Sequence, residues 1–197
     1  GRFVVALSRL GAEKVYGLDI SAESLEAASK RLEERNLTNT EIVQGSVLEL
    51  PFADASFDYV VSSGVIHHTE DPFKAYKELV RVLKPGGKLF LSVYGAGGLE
   101  WITNDFFRHT ICKLIPFRAM DALWRFVGVP AHKRYAFIDD LYVPYCFNFK
   151  EKEIRGWLEN AGFDNLKRVK FERYDYEKLW SRLMHGQGWI QFYADKK

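Results

Sequence analysis

The chain has 197 residues, of which 47% are hydrophobic and 27% charged, with a formal net charge of +2. These values are typical of globular proteins, argue against disorder and fit one domain with a sizeable core. The 28 basic and 26 acidic side chains are interleaved, so no electrostatic footprint indicates DNA or RNA as a partner. No apolar run approaches the ~20 residues that cross a bilayer, so we expect no membrane span.

The chain has two cysteines, Cys112 and Cys146, which lie far apart in the sequence. A chain of this size does not need a disulfide to stabilise its fold. We therefore expect reduced thiols and, from them, a cytoplasmic location.

Strands and helices are predicted to alternate over the first half of the chain. Continuous apolar runs predict strands, and apolar residues spaced three and four apart predict the helices between them. The predicted elements are a helix over 2–10, a strand over 14–19, a helix capped by Ser21, strands over 41–46 and 57–62, a helix beginning at Asp71-Pro72, and a strand over 88–94. This order predicts an α/β fold with a doubly wound, mostly parallel, Rossmann-like sheet.

The pattern changes over residues 99–148, where aromatic residues are frequent and helical spacing dominates. We interpret this stretch as a segment inserted into a single domain that spans 1–197. It could serve as a lid or substrate-binding segment, or as a helical subdomain or dimer surface. After it we expect a helix that ends near Gly162, then an antiparallel hairpin with strands near 166–174 and 189–194.

Asp19 is the most informative single residue, because it ends an apolar strand and precedes a helix. Ligands of open α/β sheets bind beyond the carboxyl ends of the strands, where a carboxylate can accept hydrogen bonds from ribose hydroxyls. The alternative is a carboxylate that only stabilises a turn or caps the helix.

Several motifs, taken in order, resemble those of the S-adenosylmethionine-dependent methyltransferases of the seven-stranded α/β class. The likeness is closest to the group that includes the quinone-biosynthesis methyltransferases. It covers about residues 1–95 and the tail from about 149, and it implies methyl transfer to a small-molecule acceptor. The motifs that carry it are VYGLDIS, QGSVLELPFADASFDYVVSSGVIHHTEDP, ELVRVLKPGGKLFLSVYG and a later helix that ends in AGF.

The resemblance implies a binding site for S-adenosylmethionine. Ser46 stands where the family usually has an aspartate, so we expect weaker binding of the adenine amino group. The implied residues are Gly1 as the last glycine of a glycine-rich loop, Asp19 at the ribose, Ile20 against the adenine, Ser46 and Val47 at the adenine edge, and Ser62 near the cofactor sulfur.

The family's first strand and its glycine loop have no counterpart in this sequence. In the family this strand lies between the strands predicted here at 14–19 and 57–62. We therefore expect a fragment of a longer product, which alone folds poorly and binds the cofactor weakly because backbone groups are left unpaired.

His67 and His68 are the candidate general bases, because imidazole titrates near neutrality, and we choose His68 as the candidate catalytic residue. Its alternative role is to pack or cap at the start of the Asp71-Pro72 helix. A metal site built from His67, His68, Glu70 and Asp71 is disfavoured because adjacent histidines diverge, so we expect no metal.

Two other functions remain open at this point. An acidic residue about 20 positions after a glycine loop also fits an NAD(P)-dependent oxidoreductase, although the Tyr174 and Lys178 pair falls too late in the chain for a short-chain dehydrogenase. Ser46 also fits a non-catalytic, methyltransferase-like binding module. The partners we consider are a hydrophobic or aromatic small molecule and, as the protein partner, a second copy in a homodimer.

Overall fold

The computed structural model describes residues 1–131, 133–134, 141–169 and 178–197. Its principal helices are α1 (Arg2–Arg9), α2 (Ala22–Glu33), α3 (Pro72–Val82), α4 (Leu99–His109), α5 (Ile111–Leu114), α6 (Phe117–Phe126), α7 (Glu151–Asn160) and α8 (Leu179–His185), with a short 3-10 turn over Ile66–His68. The strands are β1 (Val15–Asp19), β2 (Thr40–Gln44), β3 (Phe57–Ser63), β4 (Leu83–Tyr94), β5 (Phe163–Val169) and β6 (Trp189–Lys196).

The strands form two sheets. β1 pairs with β2 in parallel, and the other sheet has the order β3-β4-β6-β5. In that sheet β3 and β4 are parallel, whereas β6 is antiparallel to both β4 and β5, so the predicted final hairpin is present. Within the described ranges, no backbone hydrogen bonds pair β1 with β3. In the family that the sequence resembles, the first strand lies between these two strands.

Three aromatic rings connect the two sheets instead. The ring centroids of Tyr16 in β1 and Phe57 in β3 are 5.7 Å apart. Phe52 packs against both, at 5.4 Å from Tyr16 and 4.9 Å from Phe57. Side-chain packing therefore keeps β1 beside β3.

Some element bounds differ from those predicted. β4 begins at Leu83 rather than at 88, because Leu83 pairs with Phe57 before a shift in register. β5 begins at Phe163, and residues 170–174 of the predicted strand, with Tyr174, lie outside the described residues. The short helix α8 lies between β5 and β6.

The core lies between the four-stranded sheet and helices α3 and α7. The hydroxyl of Tyr76 in α3 donates a 2.8 Å hydrogen bond to the carbonyl oxygen of Trp157 in α7. On the opposite face α1 packs on the sheet, where the Phe3 and Phe90 rings are 6.3 Å apart. The side chains buried in the core include Leu79, Leu89, Leu91, Val93, Ile154, Leu158, Ile190 and Phe192.

The packing of α1 against β1 depends on Gly17. A Cβ atom at Gly17 would lie 2.8 Å from Cγ2 of Val4 and 3.0 Å from Cδ1 of Ile42. At the start of α1, a Cβ atom on Gly1 would lie 3.2 Å from the Cβ of Ala28 in α2. Absent side chains thus allow three elements to meet closely at this end of the sheet.

Arg81 attaches the loop between β2 and β3 to α3. Its guanidinium donates to the carbonyl oxygens of Leu50 and Phe52 and pairs with Glu78 and Asp54. Glu78 also accepts a 2.8 Å hydrogen bond from the Leu50 amide. The Arg81 hydrogen bond is the main cause of the lowered pKa of Glu78. The loop that follows β2 is therefore fixed in position.

Candidate functional site

The carboxyl ends of β1 and β2 lie side by side. The amide of Gly45 donates to the carbonyl oxygen of Asp19 at 3.1 Å, and Nε2 of Gln44 donates to the carbonyl oxygen of Ile20 at 3.3 Å. Parallel strands place their ligand-binding residues at this end. We call Asp19, Ile20 and Ser46 the β1–β2 edge.

The Asp19 carboxylate is exposed at this edge. Its Oδ1 accepts a 3.0 Å hydrogen bond from the amide of Ser21, the residue that caps α2. The turn role considered from the sequence is thus performed by one oxygen. A carboxylate offers about four acceptor sites, and Oδ2 has no hydrogen-bond donor among the described residues. Asp19 can therefore hold the turn and also accept hydrogen bonds from ligand hydroxyls.

Next to this carboxylate lie one apolar and one hydroxyl side chain. Ile20 is 72% exposed, so it can contact a flat ring. Oγ of Ser46 accepts a 3.2 Å hydrogen bond from the Leu48 amide, which leaves the hydroxyl proton available for donation. Val47 is half-buried against the core, so it contributes to the wall of the site rather than to its open side.

Gly1 and Ser62, also predicted to bind the cofactor, occupy different surroundings. Gly1 precedes α1, and its carbonyl oxygen accepts a 3.1 Å hydrogen bond from the Val5 amide. Ser62 pairs with Leu91, which places its side chain on the core face of the sheet, where it is 3% exposed. Its hydroxyl has no hydrogen-bond partner among the described residues. The structure does not bring Ser62 into the β1–β2 edge.

A second group of side chains lies at the carboxyl ends of β3 and β4. The ring centroid of His67 is 4.0 Å from that of Tyr94 and 4.3 Å from that of His68. Trp189 contacts Tyr94 edge-on at 4.7 Å. Because β6 is antiparallel to β4, its first residue, Trp189, pairs with the last residue of β4, Tyr94. We call these four residues the histidine–aromatic cluster.

His68 is oriented by a backbone group of the inserted segment. Its Nδ1 lies 2.9 Å from the carbonyl oxygen of Tyr145. A carbonyl oxygen only accepts, so Nδ1 carries the proton and, in the neutral ring, Nε2 holds the free lone pair. The Phe147 amide donates to the carbonyl oxygen of His67 at 2.9 Å, which holds the same segment against the turn. His68 is therefore a positioned imidazole with its basic nitrogen at Nε2.

His67 has a different character from its neighbour. It is completely buried, and neither ring nitrogen has a hydrogen-bond partner in the described part of the chain. Burial, with a smaller contribution from His68, lowers the pKa of His67 to about 3. His67 is therefore neutral near pH 7, but its low pKa makes it a weak base and its burial keeps it from an acceptor, which leaves His68 as the candidate.

The capping role considered for His68 is performed by Asp71. The Asp71 carboxylate accepts a 2.8 Å hydrogen bond from the Lys74 amide at the start of α3. Among residues 1–131, 133–134, 141–169 and 178–197, no group of three or more His, Cys, Asp or Glu side chains is placed to hold a metal ion. This includes the set of His67, His68, Glu70 and Asp71.

The sequence reasoning did not assign Tyr94, Trp189 or Tyr145 to the site. The sequence held a signal for Tyr94 and Trp189, because the last residue of one strand and the first residue of an antiparallel neighbour lie at the same end of a sheet. Tyr145 contributes only its carbonyl oxygen, and a backbone group leaves no signature in the sequence.

Part of the chain matches a known family. Residues 1–91 match a family model described as "Methyltransferase domain". The demethylmenaquinone methyltransferase of Listeria welshimeri is 36% identical over 100 residues, which are 49% of this chain and 42% of that relative. The chain thus spans less than half the length of this curated relative.

Solved structures with this fold align over nearly the whole chain. The YcgJ protein from Bacillus subtilis aligns with a TM-score of 0.65 at 18% identity, over 100% of this chain and 88% of its own. A SAM-dependent methyltransferase from Aquifex aeolicus aligns with a TM-score of 0.57 at 18% identity, over 99% and 76%. These likenesses confirm the predicted α/β, Rossmann-like methyltransferase fold.

Proposed function

We propose that this chain, which has the class I methyltransferase fold and matches the methyltransferase domain family over residues 1–91, uses S-adenosylmethionine to methylate a small-molecule acceptor. The observation that carries the proposal is the exposed Asp19 carboxylate at the carboxyl end of β1, with Oδ2 available to a ligand. A vicinal diol such as that of ribose fits a carboxylate in this position.

The residues present fit such a cofactor in chemical type. Asp19 would accept hydrogen bonds from the ribose hydroxyls, Ile20 would cover one face of the adenine, and Ser46 would meet the adenine edge. Val47 and Gly1 would form part of the wall around the cofactor. The role of Ser62 near the cofactor sulfur stays a prediction from the sequence. When bound, the sulfonium supplies an activated methyl group, so the protein chiefly has to align the acceptor and exclude water.

His68 is the proposed general base. Nδ1 is held by the Tyr145 carbonyl oxygen, so Nε2 is the atom that would take the proton lost by an acceptor hydroxyl or acidic carbon. The neutral His67 ring packs on one side of it and Tyr94 contacts it edge-on at 5.4 Å. This packing limits the rotation of the imidazole and keeps Nε2 in a defined place.

A ring-bearing, hydrophobic acceptor suits the histidine–aromatic cluster, whose rings offer flat apolar contact. The Listeria relative is named for demethylmenaquinone, so this quinone is the first acceptor to test. We further propose that residues 99–148 act as a lid, since the hydrogen bond from His68 to Tyr145 ties this segment to the site. Sedimentation of the intact protein tests whether it forms a homodimer.

A cytoplasmic location is also a proposal. Cys112 and Cys146, both among the described residues, are not joined in a disulfide, which fits a reducing compartment. Fractionation of cells that express the intact protein tests it.

The function is tested with the intact protein, S-adenosylmethionine carrying a labelled methyl group, and reduced demethylmenaquinone. We expect label in the quinol fraction and a higher melting temperature with S-adenosylhomocysteine than with NAD. Protection by NAD alone would instead favour the oxidoreductase. Protection by S-adenosylhomocysteine, with no label passing to this or any other ring hydroxyl acceptor, would favour the binding module.

A further inference from the structure

The inserted helices expose large apolar side chains to solvent. Leu114 is 82% exposed and Phe126 is 90% exposed. Large exposed apolar surfaces on a folded protein mark interaction sites more often than chance. The large apolar residues of the inserted helices and the residue after them with more than half of their surface exposed are Ile102, Phe106, Leu114, Leu123, Phe126 and Val127.

Helix α6 exposes apolar side chains on one of its faces. Its periodicity of 3.6 residues places Ala119, Leu123 and Phe126 on one face, which is exposed. Asp121 lies on the opposite face, where its side chain is only 15% exposed and pairs with Arg134 at 3.0 Å. The apolar face of α6 is therefore turned outward and the acidic side chain inward, which suits a non-aqueous neighbour.

The same stretch concentrates positive charge. Residues 106–134 contain six Lys or Arg and one Asp, a net charge of +5, whereas the whole chain has +2, so the remaining residues carry −3. The single acid, Asp121, is already paired with Arg125 at 2.8 Å and with Arg134. The exposed basic residues of the stretch are Lys113, Arg118, Arg125 and Lys133.

We propose that residues 106–127 dock on a lipid bilayer that carries anionic headgroups. Exposed Phe and Leu side chains beside Lys and Arg are the combination that lies at a membrane interface, with the apolar groups inserted and the cations at the headgroups. None of the described helices is long and apolar enough to cross a bilayer. The contact that we propose is between these side chains and the headgroup region of the bilayer.

The charge and the apolar side chains of this surface favour an anionic bilayer over a second copy of the chain or a single-stranded nucleic acid. A second copy bound through this face in a two-fold dimer would bring together two copies of residues 106–127, each with four Lys or Arg and one Asp, which is repulsive. A single-stranded nucleic acid would use the cations and aromatic faces but not the exposed aliphatic groups, such as Leu114 and Leu123. An anionic bilayer uses both the apolar and the cationic groups.

This inference is independent of methyl transfer, since binding is measured without cofactor or acceptor. The intact protein is sedimented with vesicles of phosphatidylglycerol and phosphatidylcholine, or of phosphatidylcholine alone. We expect binding to the anionic vesicles that weakens as salt is raised. The double variant Leu114→Ser/Phe126→Ser should bind about tenfold more weakly or worse, because two inserted side chains are lost.

The control is Leu10→Ser, because Leu10 is also 82% exposed but lies at the end of α1. It should bind vesicles within about twofold of wild type. Unchanged melting temperatures show that the variants fold. Equal binding to the two vesicle types, or equal loss in both variants, would overturn the proposal. A dimer or RNA complex that the double variant disrupts, in a protein that does not bind vesicles, would also overturn it.

Discussion

Nδ1 of His68 lies 2.9 Å from the carbonyl oxygen of Tyr145, a residue 77 positions further along the chain. This one hydrogen bond sets the tautomer of the imidazole and also ties the inserted segment to the end of β3. The tautomer of the candidate base and the position of the proposed lid are therefore coupled. Two substitutions of His68 distinguish its role as a base from its role in holding the inserted segment.

His68→Asn removes the basic nitrogen but retains an amide that can donate to the Tyr145 carbonyl oxygen. We expect kcat to fall by about 10²- to 10⁴-fold, the usual contribution of a general base, with little change in the Kd for S-adenosylhomocysteine. His68→Ala should in addition raise the KM for the acceptor, because the tether is lost. The control is Lys152→Gln on the exposed side of α7, which should keep its activity. A His68→Asn enzyme with more than half of the wild-type kcat would exclude His68 as the base.

His67 predicts a specific acid sensitivity. Its pKa is lowered from the ordinary value of 6.5 to about 3 in the folded protein, so between these pH values the unfolded chain binds a proton that the folded protein does not. The free energy of unfolding should therefore fall as pH drops below 6.5, by up to about 1.4 kcal/mol per pH unit from this residue.

His67→Phe keeps the ring packing on Tyr94 and removes the titration. Urea unfolding at pH 7 and pH 5 should show that stability falls less on acidification in this variant than in wild type. Identical pH dependence in wild type and His67→Phe would contradict the neutral, buried state of His67.

Two glycines offer a matched pair for the packing of α1. A Cβ atom at Gly17 would meet Val4 at 2.8 Å, whereas one at Gly156 in α7 would meet nothing within 4 Å. Gly17→Ala should lower the free energy of unfolding by about 1–3 kcal/mol and weaken cofactor binding, because α1 is displaced. Gly156→Ala should raise the free energy of unfolding by about 0.5–1 kcal/mol. Urea unfolding measures both, and equal effects would show that Gly17 is not under steric constraint.

Local signals in the sequence predicted the elements well. Ser21 accepts the Ser24 amide at 3.2 Å and Asp71 accepts the Lys74 amide at 2.8 Å, as expected for the two N-caps. Capping depends on residues three apart, so it can be read from sequence. The position of Asp19 at the end of β1 was likewise predictable, because a strand end is a local feature, while its role at the ribose stays a prediction.

Contacts between distant residues were not predictable in the same way. The pairing of Tyr94 with Trp189 depends on the order of strands in the sheet, and the contact of His68 with Tyr145 depends on the path of the inserted segment. The near-zero net charge of the whole chain hides the basic stretch over 106–134, which the sequence itself contains, so the interleaving of charges expected at first does not hold there. The strand order and the path of the inserted segment, in contrast, appear only when the residues are placed in space.

Isothermal titration calorimetry of S-adenosylhomocysteine with the Asp19→Asn variant of the intact protein tests the central claim most directly. Loss of the charge-assisted hydrogen bonds to the ribose should weaken binding about 100-fold, while Glu23→Gln, a control for charge at the start of α2, should bind within about twofold of wild type. Equal affinity of Asp19→Asn and wild type would contradict the assignment of the β1–β2 edge as the cofactor site.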